Sequence, residues 1–263
     1  MNSIRSRDNP FYKELVKLSG SARQRNNSHQ TLLDGAHLLA AYLDAGLRPQ
    51  HILLNATALQ DKEITALLKR LEEVPRTQLD DKLFTVLSEL KSPTGILALI
   101  DLPQPDVTIA QSHFVLLLED IQDPGNLGSM LRSAAAAGCD AVFLSPGCAD
   151  AWSPKVLRAA MGGHFALRIY EQQDLLKVAK AFAGALLATS LQASHSLFDC
   201  DLRGNIAFLV GNEGAGLSAD LLNLATQKIS IPMPGKVESL NAAAATAICL
   251  FEAVRQRKRA VTV

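Results

Sequence analysis

From residue 114 onward the sequence repeatedly sets four or five apolar residues in a row: Phe114 to Leu118, Ala141 to Leu144, Ala185 to Ala188 and Ile206 to Val210. Ile229-Ser230-Ile231 continues the series with one interruption. A strand with one wet face alternates apolar and polar residues, so strands that do not alternate must be covered on both faces. The intervals between these runs are long enough to hold helices. Parallel strands need such long crossovers, so this half of the chain is expected to be an α/β domain with a parallel sheet between helical layers.

The first hundred residues read differently. Asn9 to Leu18 predicts a helix that Pro10 can begin, and Ala36 to Ala45 and Lys62 to Leu71 predict two more. Thr31-Leu32-Leu33, His51 to Leu54 and Gly95 to Ile100 predict strands, making a small α/β domain. Leu102-Pro103-Gln104-Pro105-Asp106 is the linker candidate, because two prolines lack backbone donors and favour an extended chain. The expected organisation is a domain of residues 1–105 followed by one of residues 106–263, a division that suits a 263-residue chain.

Several classes are disfavoured. No apolar stretch reaches the roughly 18 to 20 residues that cross a bilayer, and Met1 to Arg7 lacks the apolar core of a signal peptide; the expectation is a cytoplasmic protein with no membrane partner. Cys139, Cys148, Cys200 and Cys249 are scattered, with neither a CxxC pair nor histidines at ligand spacing, so they predict reduced thiols and no metal site. Zero net charge conceals an asymmetry. From Met1 to His29, the six cations Arg5, Arg7, Lys13, Lys17, Arg23 and Arg25 face only Asp8 and Glu14. The surplus of four is balanced by an acidic remainder. Those six residues are the candidate contacts to an RNA phosphate backbone, although a solvated helix face gives similar counts.

Three segments carry the chemistry. The first, Glu119-Asp120-Ile121-Gln122-Asp123-Pro124-Gly125-Asn126-Leu127-Gly128-Ser129-Met130-Leu131-Arg132, is a strand end, a polar turn and a helix. Leu127, Met130, Leu131, Ala134 and Ala135 form its apolar stripe, and Arg132 lies off it. Taken alone, Asn126 reads as a helix cap and Arg132 as a surface arginine. The second, Phe208 to Ser218, places Gly211, Gly214, Gly216 and the carboxylate of Glu213 after a buried strand, where glycines admit a ligand close to the backbone. Gly214-Ala215-Gly216-Leu217-Ser218-Ala219 also matches a dinucleotide fingerprint. Against that reading, Glu213 would repel a pyrophosphate, and the next strand runs into Pro232-Met233-Pro234-Gly235 with no acidic ribose anchor. The third, Ile229 to Ala245, is a strand stopped by proline, a loop, and a helix whose first turns are almost all alanine, side chains that allow close backbone packing.

Together and in this order, the three segments resemble the motifs of the SpoU, or TrmH-type, RNA ribose methyltransferases of the SPOUT superfamily, over Phe114 to Arg257. Asn9-Pro10, Lys17-Leu18 and Leu33-Asp34-Gly35 also resemble that family's small RNA-binding domain of ribosomal-protein L30e type. The resemblance implies a C-terminal parallel sheet with a deep trefoil knot, a rare exception to unknotted topology, and a homodimer through that domain. The apolar Ile248, Leu250, Phe251 and Val254 of the last helix suit such an interface. S-adenosylmethionine is the implied cofactor, held by Gly211, Ile231, Met233, Ser239, Leu240 and Asn241. Arg132, Asn126 and Glu213 are the implied catalytic group. One departure is visible: after Asn241 the family commonly has Val and Ser, where this chain has Ala242 and Ala243.

The implied reaction is methylation of a ribose 2′-hydroxyl, with ribosomal RNA placed ahead of transfer RNA. An in-line displacement at a sulfonium needs no metal and asks the protein chiefly for alignment and proton removal. A guanidinium with a pKa above about 12 is a poor base, so Arg132 is expected to grip an RNA phosphate and stabilise the developing alkoxide, with Glu213 orienting it. The alternatives are a non-catalytic RNA-binding or ribosome-assembly factor and, more distantly, a Rossmann-type oxidoreductase.

Overall fold

The computed structural model describes residues 2–90, 92–104 and 109–260. In chain order the elements are β1 (Asn2–Ile4), α1 (Pro10–Gly20), α2 (Ala22–Ser28), β2 (Gln30–Asp34), α3 (Ala36–Asp44), β3 (His51–Leu54), α4 (Lys62–Lys69), β4 (Arg76–Leu79), α5 (Asp81–Leu87) and β5 (Ile96–Asp101). There follow β6 (Phe114–Leu118), α6 (Pro124–Ala137), β7 (Ala141–Leu144), α7 (Pro154–Ala160), β8 (Arg168–Tyr170), α8 (Leu175–Ala181), β9 (Ala185–Thr189), β10 (His195–Ser196), β11 (Ile206–Val210), α9 (Ala219–Leu224), β12 (Gln227–Ser230) and α10 (Ala242–Ala260).

These form two compact units. The first takes in Met1–Gln104 and Trp152–Phe165, with a mixed sheet in the order β1-β4-β3-β5-β2. Helix α1 starts where expected, because the Asn9 side chain accepts the N–H of Tyr12 and Pro10 needs no donor partner there. Its apolar stripe, Tyr12, Leu15 and Leu18, packs into the core with Leu32, Leu53 and Leu97 of the sheet. Segment Trp152–Phe165 joins this unit although it follows β7 in the chain; the buried hydroxyl of Thr31 donates to the carbonyl of Trp152 at 2.9 Å. Of the expected linker, Leu102 is buried and donates its N–H to His29, while Pro105 and Asp106 lie outside the described residues.

The second unit, Pro105–Ala151 and Ala166–Val263, holds a seven-stranded sheet in the order β10-β12-β9-β11-β6-β7-β8, parallel throughout. β6, β7 and β11 are covered on both faces and have no exposed residue, whereas the strand expected at Ile229 to Ile231 is β12, Gln227–Ser230, which leaves Lys228 exposed and ends before Ile231. On one face Val115, Leu117, Ala207 and Leu209 pack with Leu175 and Val178 of α8 and Leu221 of α9. Helix α10 packs along α6 and against β11. Because all strands run one way, the loops leaving their C-terminal ends gather at one edge of the sheet, where ligands bind in open α/β folds. No helix among the described residues is long and apolar enough to cross a membrane.

Candidate active site

Each of the three motif segments leaves the C-terminal end of a strand, β6, β11 or β12. Helix α6 is capped by Asp123, whose carboxylate accepts the N–H of Asn126 at 2.7 Å. The cap is therefore Asp123, and the Asn126 side chain is left for longer-range contacts. Its Nδ2 donates to Glu213 Oε1 at 2.7 Å, and its Oδ1 accepts from Asn241 Nδ2 at 2.9 Å. One amide thus joins all three segments. Asn241 also holds the start of α10, its Oδ1 accepting the N–H groups of Ala243 and Ala244.

The second segment folds back on itself. A side chain at Gly211 would place its Cβ 2.3 Å from the carbonyl of Gly216 and 2.4 Å from the nitrogen of Leu217, so glycine is required by crowding within the loop. The Asn212 side chain accepts the N–H groups of Gly214 and Ala215 at 2.8 and 3.0 Å. The stretch that imitates a dinucleotide fingerprint is therefore already closed by its own hydrogen bonds.

Beside this loop lies a cavity of about 440 Å³, within the range of small-molecule sites. Of the residues expected to hold a cofactor, Gly211, Ile231, Met233, Ser239 and Leu240 line it, together with Glu213. Asn241 is not among the lining residues; its amide is committed to Asn126 and to the first turn of α10. Ala242 lines the cavity, and Ala243, in the first turn of α10, is buried. Sequence reasoning missed Thr189 to Gln192, at and beyond the end of β9, and Ala245 and Cys249 of α10, all of which line the cavity. The sheet order accounts for the first group: β9 stands between β11 and β12, so its loop enters between the second and third segments. Burial pushes the Cys249 thiol up to about 12, so it lines the wall as a neutral group.

Arg132 is exposed on α6, and among the described residues no hydrogen bond or ion pair holds its guanidinium. The expected Glu213–Arg132 contact is not formed; Glu213 engages Asn126. Among the described residues no group of three or more His, Cys, Asp or Glu is placed to hold a metal.

In the first unit, Arg5, Arg7, Lys13, Lys17 and Arg23 are exposed, and Lys13 pairs with Asp8 at 2.9 Å. Arg25 does not belong with them. It is 4% exposed, and its guanidinium donates to the carbonyls of Leu18 and Ser19 at the end of α1. Its bonds close a helix terminus, and its burial keeps the guanidinium away from a phosphate in solution. Two cations near the C-terminus are similarly engaged: Arg255 pairs with the buried Glu252, and Arg257 donates to Leu202 and Gly204 while lying 4.2 Å above the Phe114 ring.

Comparison with known proteins places this architecture. Residues 113–251 match the SpoU rRNA Methylase family, and residues 9–98 match the MRM3-like substrate binding domain. An uncharacterized tRNA/rRNA methyltransferase of Synechocystis is 34% identical over 99% of this chain and 96% of its own length. The 23S rRNA (guanosine(2553)-2′-O)-methyltransferase RlmP of Bacillus subtilis is 33% identical, covering 95% of this chain and 98% of its own. The crystal structure of the SpoU methyltransferase AviRb of Streptomyces viridochromogenes, in complex with AdoMet, superposes with a TM-score of 0.82 at 28% identity, over 95% of this chain and all of its own.

Proposed function

This chain belongs to the SpoU rRNA Methylase family, and from that membership we propose that it methylates a ribose 2′-hydroxyl of ribosomal RNA, with S-adenosylmethionine as the methyl donor. The observation that carries the reading is the Asn126 amide, which joins Glu213 and Asn241 and so ties together the segments that follow β6, β11 and β12, with Glu213 lining the cavity. The cavity fits the cofactor in size and in character: Leu217, Leu222, Ile229 and Leu240 give it apolar walls, and Ser190, Gln192 and Ser239 give it polar groups. Gly211, Ile231, Met233, Ser239 and Leu240 would hold the cofactor, which supplies an electrophilic methyl group on a sulfonium.

The chain's own contribution is alignment and charge. The unengaged fork of Arg132 suits a two-point grip on an RNA phosphate beside the reacting ribose, and its positive charge would stabilise the oxygen as its proton leaves. Glu213 holds the Asn126 Nδ2 and so fixes the direction in which the Asn126 carbonyl points.

The finer points of the assignment belong to this proposal. The segment of Ile231 to Asn241 and the small side chains at the start of α10, packed along α6, support a trefoil knot in the second unit. The match of residues 9–98 to a substrate-binding domain supports an L30e-like RNA-binding role for residues 1–105, with catalysis in 106–263. Phe251 of α10 and nearby Phe198 are large apolar residues left 47% and 51% exposed, which supports a homodimer through this domain. The similarity to bacterial ribosomal RNA methyltransferases supports a cytoplasmic location. Mapping 2′-O-methyl positions in ribosomal RNA from cells with and without the gene tests the proposal: one position should lose its methyl group. A methyl lost instead from transfer RNA would move the substrate while preserving the chemistry.

A further inference from the structure

Residues Gly211 to Leu217 form one wall of the cavity; Glu213 to Gly216 are exposed, and Leu217 is the loop side chain packed into the core. Two side chains, Asn212 and Glu119, fasten the loop at both ends to a single dipeptide, Glu119-Asp120, just after β6. At the loop's start, Asn212 Nδ2 donates to the carbonyl of Asp120 at 2.9 Å. At its end, the N–H of Ser218 donates to Glu119 Oε2 at 2.6 Å. The anchor is itself fixed. Asp120 holds a left-handed backbone conformation, φ 54°, unusual for a residue with a side chain. Its N–H donates to Ser145 Oγ at 2.9 Å, and the same hydroxyl donates to Asp120 Oδ1 at 2.6 Å. The carboxylate sits where a Cβ at Gly147 would come within 2.1 Å of it.

We propose that Glu119 and Asn212 are positioning residues for methyl transfer, acting as a two-point clamp that sets the cavity wall and, through it, the geometry of the bound methyl donor. The proposal rests on the cofactor reading of the cavity. Glu119 and Asn212 are required for different chemistry. Glu119 needs only an acceptor, so glutamine can replace it. Asn212 needs an acceptor for Gly214 and Ala215 and a donor for Asp120 in one side chain; aspartate keeps the first and sets a carboxylate oxygen against the Asp120 carbonyl in place of the second.

The test titrates the full chain with S-adenosylhomocysteine and measures methyl transfer to ribosomal RNA from cells lacking the gene, for Glu119→Ala, Glu119→Gln, Asn212→Asp and the unaltered protein. Loss of one hydrogen bond to a charged acceptor corresponds to about 10- to 100-fold in binding. Glu119→Ala should therefore weaken S-adenosylhomocysteine binding by about that factor, and Asn212→Asp, which replaces a neutral hydrogen bond by carboxylate–carbonyl repulsion, should weaken it by about 10-fold; both should raise KM for S-adenosylmethionine, with KM for RNA unchanged. Glu119→Gln should recover most of the loss. If Glu119→Ala proves too unstable to purify, the contrast between Asn212→Asp and Glu119→Gln decides. Variants that melt earlier but bind S-adenosylhomocysteine as the unaltered protein does would overturn the clamp and leave the two residues a purely structural role. Failure of the unaltered protein itself to bind would instead overturn the cofactor reading.

Discussion

Replacing Asn126 by aspartate perturbs the junction of the three segments with almost no change in shape. The new carboxylate oxygen would face Glu213 Oε1 across the 2.7 Å now spanned by a hydrogen bond. Removing a hydrogen bond to a charged acceptor costs about 1.5 kcal/mol at the lower end of the usual range, appropriate because Glu213 is exposed. Two like charges about 4 Å apart in a water-like environment add about 1 kcal/mol. The sum, about 2 to 3 kcal/mol, would slow methyl transfer by about 30- to 150-fold if the junction is formed in the transition state. The assay is single-turnover methylation with saturating RNA and cofactor, run as a double-mutant cycle with Glu213→Gln. In the double variant the new amide at position 213 can donate to the new carboxylate at position 126, so the hydrogen bond returns with its direction reversed and much of the rate should return with it. Additive effects, with a coupling below about 0.5 kcal/mol, would refute an energetic link between the two side chains.

Arg132→Ala should slow methylation by about 100- to 1,000-fold while leaving the melting temperature and S-adenosylhomocysteine binding unchanged; Arg132→Lys should remain badly impaired, because lysine lacks the planar fork. Near-normal turnover in both would return Arg132 to a plain surface role. Neutralising Arg5, Arg7, Lys17 and Arg23 together should weaken RNA binding and flatten its salt dependence without altering stability, whereas Arg25→Ala should lower the melting temperature and leave the salt slope alone. Asp34→Asn tests the buried carboxylate of β2. Burial holds the Asp34 carboxyl above its ordinary 3.8, outweighing the hydrogen bonds from Ser88 and Glu89, and its Oδ1 is buried without a partner. The folded state thus binds that proton more tightly than the unfolded chain, so the stabilisation is complete below 3.8 and is lost as pH rises through the raised folded value. Asparagine should therefore stabilise the protein at neutral pH, with the gain vanishing in acid; a gain independent of pH would contradict the assignment.

How much could be read beforehand depended on burial. Strands β6, β7 and β11 are apolar from end to end because both faces are covered, and the sequence displays that directly. β8, at one edge, buries only Ile169 between Arg168 and Tyr170 and leaves no such trace. β4 hides because its buried positions include Thr77, a polar residue that hydrogen-bonds to His51. β1 and β10, of three and two residues, are too short to carry a pattern. At the site, the three motif segments were legible, since each holds its polar residues at a strand end. Their partnerships were not: Asn126 and Glu213 are 87 residues apart, and Asn126 and Asn241 are 115 apart. Arg25 was misassigned because a charge count cannot distinguish a solvated arginine from one spent on helix carbonyls. The grouping of Trp152–Phe165 with the first unit is likewise invisible to chain order.

Methylation of ribose in ribosomal RNA by this chain can be measured directly. The direct measurement incubates the purified full chain with methyl-labelled S-adenosylmethionine and ribosomal RNA from cells lacking the gene, digests the RNA to nucleosides and identifies the labelled product by mass spectrometry. A single 2′-O-methylated nucleoside is expected, with the label on the sugar fragment and absent when Arg132→Ala replaces the unaltered protein. Label on a base, or none in RNA to which the protein demonstrably binds, would contradict ribose methylation by this chain.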